Sequence, residues 1–388
     1  MSTQSMESIQ TAPVAAGYRL TNFRIRMRKI FFRLILIVLG IAVGLVTSEM
    51  LMRAFQLGHT RSVILYNDKI FKLPPHASFM NLDENRNLME TNNLGFHDRE
   101  RDTTNNNYRI LFMGDSFVEG RQVETQSLFT VRLEKKFADD GQKIEAINGG
   151  VPDTGTAYQY SLWKEFFEPS VKVDHLVLCF FMGNDLADNN ADLKLSTFGE
   201  KDNSFFVDSE GKILATRKHP GLLKSTVNYV RDHSVLMDRL YESAYRMKKN
   251  AQAGSGGEVG DEGERVDHSG AWQASEQGTI ELIKRWRSEL SAKKIPFDVV
   301  IIDRPGKVYN KFELEFADRL LNMCAEERID CLRLKLTADP FESYSFDGVN
   351  LGHFNYKGHE LSANEIYEYF KSHHAALFNR STEEHKSN

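Results

Sequence analysis

The chain reads as an α/β protein with a mostly parallel sheet covered on both faces, carried behind an N-terminal transmembrane helix. Three observations predict this. Continuous apolar runs, such as HLVLCFFM at 175–182, suit strands buried on both sides. Amphipathic stretches of helical length separate those runs, which is the alternation of a parallel sheet with crossover helices. A single uncharged run of fifteen residues, LILIVLGIAVGLVTS at 34–48, stands near the amino terminus.

The elements follow in order. Residues 1–29 form a polar, basic tail. Residues 1–33 hold Arg19, Arg24, Arg26, Arg28, Lys29 and Arg33 against Glu7, so this segment carries +5 of a chain whose net charge is −5. With the flanking apolar residues, 30–52 are long enough to cross a hydrocarbon core of about 30 Å, with Arg33 and Glu49 near its ends. The basic cluster keeps the amino terminus in the cytoplasm and sends the rest across. A cleavable signal peptide is the rival reading, but no small-x-small cleavage site follows. Residues 53–107, with Pro74-Pro75 and many Asn, read as a loop-rich lead-in with short strands.

From 108 to 375 the α/β pattern holds. Strands are expected at 109–113, 143–151, 175–182, 297–303 and 331–336. Helices are expected at 125–139, 156–167, 276–293, 311–327 and 360–370. An insertion, 186–274, interrupts the pattern. Its stretch 251–264, AQAGSGGEVGDEGE, reads as a mobile loop, and 221–248 have a helical look that suits either a lid or a solvated excursion. Residues 376–388 are a tail.

The acidic remainder, −10 beyond residue 33, argues against nucleic acid as a partner. Cys179, Cys324 and Cys331 make neither a disulfide framework nor a zinc spacing and read as small buried residues. His97, His175, His219, His233 and His268 show no metal spacing, so no metal site is expected.

Right-handed crossovers place the carboxyl ends of parallel strands on one edge, where α/β folds bind ligands. Four short blocks fall there: Gly114-Asp115-Ser116, Asn148-Gly149-Gly150, Gly183-Asn184-Asp185, and a late block from Asp347 to His359. A serine hydroxyl needs a base, and His353 is the best placed. Asp347 is the acid near enough in sequence to orient that imidazole. Donors for a developing oxyanion would be the backbone N–H of Ser116 and Gly150 and the side-chain amide of Asn184. The bland readings are a capping Ser116, a turn-forming Asn184 and a structural His359 in the last helix.

In these blocks the chain resembles the SGNH (GDSL-type) hydrolase superfamily. Ser116, Gly150, Asn184 and His353 match that family's Ser, Gly, Asn and His in order. His353-Phe354-Asn355-Tyr356-Lys357-Gly358-His359 resembles its His-Pro-Asn-x-x-Gly-His ending, with Phe354 in place of Pro. The resemblance covers about 108–185 and 297–372. It implies a three-layer α/β/α fold with a flavodoxin-like sheet, and ester hydrolysis without a metal or other cofactor. One position departs: the family's Asp three residues before the His is Asn350 here. Asp347, Asn350 or a Ser–His dyad alone are then the open arrangements. The expected function is a membrane-anchored serine esterase outside the cytoplasm, acting on short acyl esters, O-acetyl above all, of a cell-envelope glycan or lipid. An O-acyltransferase with the same Ser–His site, or a non-catalytic binding protein that kept the fold, are the alternatives.

Overall fold

A computed structural model describes residues 13–55, 57, 64–66, 70–81, 84–193, 203–217, 222–254, 269–303, 311–336, 341–346 and 352–378. The chain divides into two units, Met1–Phe55 and Gln56–Asn388. The first contains one long helix, α1, Pro13–Ala54. Its stretch Arg26–Ala54, whose most apolar 18-residue window has a mean hydropathy of 2.6, is long and apolar enough to cross a membrane. Polar groups at its far end are satisfied within the helix. Thr47 Oγ1 donates to the Val43 carbonyl, and Arg53 pairs with Glu49 one turn earlier.

The second unit is built on five parallel strands: β1 Tyr108–Gly114, β2 Ile144–Gly150, β3 His175–Phe181, β4 Phe297–Ile302 and β5 Asp330–Arg333. Their spatial order is β2-β1-β3-β4-β5, the flavodoxin-like order. Alternate residues of each strand feed opposite layers, because the side-chain period of a strand is two. Leu111, Met113, Leu176, Leu178, Val299 and Ile301 pack with α4 (Thr156–Leu162), α5 (Ser269–Ala292) and α6 (Lys311–Glu327). Ile110, Phe112, Val177, Cys179, Val300 and Ile302 pack with α3 (Phe129–Asp139) and α7 (Tyr356–His373). The result is the three-layer α/β/α arrangement, with the central strands largely apolar because both faces are covered.

Boundaries shift where local chemistry intervenes. The expected helix at 125–139 begins as a 3-10 turn, Thr125–Ser127, before α3 starts at Phe129. The last helix begins four residues earlier than expected, because Asn355 caps it by accepting from the Lys357 and Gly358 amides. The final strand stops at Arg333, although Leu334 and Leu336 stay buried.

The lead-in is part of the second unit. It holds two antiparallel ribbons, Ile64–Tyr66 with Ile70–Lys72 and Ser78–Asn81 with Asn87–Glu90. Phe96 packs on Phe166 and Phe167. The buried Asp98–Arg101 pair takes the Asn148 amide and donates to the Ala146 carbonyl. In the insertion, Asn203–Val207 pairs with Ile213–Arg217, and helices Leu222–His233 and Val235–Gly254 follow. Of the glycine-rich stretch 251–264, residues 251–254 close that second helix and 255–264 lie outside the described residues. All three cysteines are free thiols.

Candidate active site

β1 and β3 are neighbours, and the chain leaves their carboxyl ends toward different sides of the sheet. This is the switch point at which open α/β sheets form a crevice. Ser116 follows β1 there and Asn184 follows β3. Ser116 opens a one-turn helix, α2, Ser116–Glu119, so its amide has no intrahelical carbonyl to bond. The cap is Asp115, not Ser116: Asp115 Oδ1 accepts from the Phe117 amide at 2.9 Å. The serine hydroxyl is thereby released for other contacts.

Its contact is His353. Ser116 Oγ lies 2.8 Å from His353 Nε2. On the other side of the ring, Nδ1 lies 2.9 Å from both carboxylate oxygens of Glu84. The His353 amide donates to the same carboxylate at 3.2 Å. With Nδ1–H directed at Glu84, Nε2 carries its lone pair toward the serine, which is the tautomer a general base needs.

Three anchors hold the imidazole. The Phe346 amide and the Ser345 hydroxyl both donate to the His353 carbonyl. Phe354 is buried edge-on against Phe117, the residue after Ser116. Asn355 donates to the Ser343 and Ser345 carbonyls while capping α7. Phe354 therefore packs the loop that carries His353 onto the turn that carries Ser116.

Glu84 sits at the turn of the ribbon Ser78–Asn81/Asn87–Glu90 with φ of +60°, a backbone region that costs a glutamate on the order of 1 kcal/mol. Asparagine side chains hold that turn in place. Asn87 Nδ2 donates to the Val123 and Arg121 carbonyls, and Asn85 Nδ2 to the Gln122 carbonyl. The ribbon is thus tied to the segment that follows α2, beside Ser116.

The other expected site residues fall as follows. Gly150 lies at the end of β2, and a Cβ there would come within 2.2 Å of the Glu119 amide nitrogen. The glycine is needed for close packing of α2 on β2, and its own amide donates to Asn148 Oδ1 at 2.9 Å. Asn184 Nδ2 donates to Asp188 Oδ2, while its Oδ1 is buried without a partner. Asp347 and Asn350 lie outside the described residues. His359 is buried; its Nδ1 accepts from the Phe129 amide, and burial lowers its pKa to about 3.

Asp115, Asp185 and Asp188 are buried carboxyls on the turns that follow β1 and β3. Burial lifts the pKa of Asp115 to about 7, against the Phe117 amide and His353, and with Asp188 and Asp153 adding to the rise. Burial and Asp115 together raise Asp185 well above the usual carboxylate range. Asp153 holds a φ of +58°, just beyond the end of β2.

Sequence reasoning missed Glu84. It lies in the aperiodic lead-in, 269 positions from the histidine it contacts. Its one sequence-level signal is the cluster Asn81, Asn85 and Asn87 around it, and that signal names no partner.

No family model matches the chain, and no curated protein matches it. Among solved structures, it is similar to the lipase/acylhydrolase from Enterococcus faecalis (13% identity, 68% of this chain and 96% of that one, TM-score 0.38). It is also similar to the psychrotrophic esterase EstA from Pseudoalteromonas sp. (11% identity, 69% and 98%, TM-score 0.40). A third is the acetyl xylan esterase AlAXEase (9% identity, 67% and 98%, TM-score 0.39).

Proposed function

We propose that this chain is a serine esterase of SGNH type, held to a membrane by α1, that hydrolyses short acyl esters. The observation that carries the reading is the line Ser116 Oγ, His353, Glu84, with contacts of 2.8 and 2.9 Å at a strand-end crevice. Ser116 Oγ attacks the ester carbonyl as its proton passes to His353 Nε2. Glu84 holds the ring and stabilises the imidazolium that results. Collapse of the tetrahedral intermediate expels the alcohol, which takes the proton from Nε2–H. Water, activated by the same nitrogen, then frees the acid and restores the serine.

The Ser116 amide, at the start of α2, is the donor best disposed to the oxyanion. Asn184 Nδ2 and the Gly150 amide would join it by exchanging their present acceptors, Asp188 Oδ2 and Asn148 Oδ1. Glu84 supplies the charge for which the sequence offered Asp347, and this supports a catalytic protein over a binding protein that merely kept the fold.

The substrate class we assign is a short acyl ester, O-acetyl above all, on a glycan or lipid of the cell envelope. Support comes from the apolar helix and its basic flank, which would leave the amino terminus in the cytoplasm and the esterase domain outside it. The test uses the full chain in detergent with a fluorophosphonate and with p-nitrophenyl esters from acetyl to palmitoyl. Wild type should label once, Ser116→Ala not at all, and acetyl should be the best substrate. Labelling that survives Ser116→Ala overturns the nucleophile, and a palmitoyl preference overturns the short-acyl assignment.

A further inference from the structure

At the opposite edge of the sheet from Ser116, two imidazoles and a carboxylate converge. His175 opens β3, Asp298 is the second residue of β4, and His374 follows the end of α7. His175 Nε2 and His374 Nε2 approach the same oxygen, Asp298 Oδ2, at 3.1 and 2.7 Å. The three atoms lie within 4.8 Å of one another.

Hydrogen bonds to Asp298 leave part of this cluster unpaired. His374 Nε2–H makes a hydrogen bond to Asp298 Oδ2. His175 is 0% exposed; its Nε2 lies 3.1 Å from Asp298 Oδ2, and its Nδ1 has no hydrogen-bond partner. A buried ring nitrogen left without a partner is unfavourable. A cation bound by both Nε2 atoms and by Oδ2 would be held by all three side chains at once. Ligand atoms about 2.0–2.2 Å from a tetrahedral ion stand about 3.3–3.6 Å apart, so the 3.1 and 2.7 Å approaches to Asp298 Oδ2 would open by under about 1 Å to admit one.

We propose that His175, Asp298 and His374 form a binding site for a divalent transition ion of the zinc class, which imidazole and carboxylate together favour. Asp330, paired with Asp298 in register on β5, is the natural fourth ligand. Its Oδ2 lies 3.9 Å from His374 Nε2, and its side chain is half exposed. A cleft of about 340 Å³ bordered by Asp298, Asp330 and His374 provides the entry path. Arg287, Lys294 and Arg328 on its rim favour an anionic fourth ligand, either Asp330 or hydroxide. The ion would clamp the end of the C-terminal helix to the amino edge of β3 and β4. Its position, at the other end of the strands from Ser116, makes it a tie that stabilises the fold and takes no part in ester chemistry.

The test takes the full chain in detergent, stripped with EDTA and dialysed, and titrates it with Co²⁺ and then Zn²⁺. One equivalent of Co²⁺ should give the visible d–d bands of a low-coordinate site, and one equivalent of Zn²⁺ should displace it and raise Tm. Asp298→Asn and His374→Gln should each weaken Co²⁺ binding by more than the roughly 10–100-fold that loss of an outer-shell contact costs. Ser116→Ala should bind as wild type does. A Co²⁺ spectrum no different from the aqueous ion, or saturation unchanged in both ligand variants, overturns the site. Asp298→Asn preserves shape, and the wild-type titration alone decides if a variant fails to fold. Ester hydrolysis by the stripped protein below its Tm reads the active site separately, so the two proposals stand or fall apart.

Discussion

Glu84 and His353 are 269 positions apart in the chain and 2.9 Å apart in space. A carboxylate that faces the imidazole therefore comes from the ribbon ahead of the sheet. Glu84→Gln keeps the shape and an acceptor for Nδ1–H but removes the charge that steadies the imidazolium. The variant should lose about 10²–10⁴-fold in kcat with KM little changed. Asp347→Asn should stay within about threefold of wild type, a shift too small for the loss of a triad acid. Steady-state kinetics on p-nitrophenyl acetate would check both. The reverse ranking would restore Asp347 as the orienting acid.

The turn that presents Glu84 is itself held from outside. Asn87→Ala removes two bonds to the 121–123 segment and should cost about 1 kcal/mol of stability for each. It should also let Glu84 drift, lowering kcat by roughly 10–100-fold with KM nearly constant. Urea unfolding and kinetics on the same preparation separate the two effects. A variant that loses stability but keeps kcat would show that the carboxylate is positioned by something else.

Asp115 links the site to pH. Its folded pKa, about 7, lies above the unfolded value of 3.8, so between these limits the folded state binds more protons. The stabilisation is full at low pH and is lost as pH rises from about 4 through 7. Asp115→Asn keeps an acceptor for the Phe117 amide and removes the titration. Its Tm should therefore fall less than that of wild type across this window. Thermal melts at pH 4.5, 6 and 8 measure the difference, and parallel curves would contradict it.

Gly150 tests the packing of the nucleophile's turn. A methyl group at this position meets backbone on the Val118–Glu119 side, which cannot rotate away. Gly150→Ala should destabilise by about 3 kcal/mol, the upper part of the usual overpacking range, and reduce labelling of Ser116. Urea midpoints and phosphonate labelling rates would report both effects. A stable variant with normal labelling would show that α2 moves aside freely.

The sheet was legible because its central strands carry apolar runs, as at 110–113, 176–181 and 299–302, separated by stretches of helical length. Ser116 and His353 were legible because strand ends and a loop before the last helix are where such groups can meet. Glu84 was not, since nothing periodic marks the lead-in and its placement depends on Asn85 and Asn87 reaching carbonyls more than thirty positions away. The His175, Asp298 and His374 cluster was invisible for a related reason. Metal spacings are recognised along a chain, whereas these three are gathered by strand order and by the return of α7. Gly150 was legible as a glycine that allows close approach, but what approaches it is the Glu119 backbone.

The ribbon that carries Glu84 also decides where the protein can be cut. The alternating pattern begins at residue 108, and a fragment trimmed to that point would keep Ser116 and His353 while discarding the acid and the Asn clamps. Such a piece should fold poorly and turn over slowly for want of its own upstream arm. One that starts near residue 60 should behave as the whole. Catalytic competence thus begins some fifty residues before the first strand of the sheet.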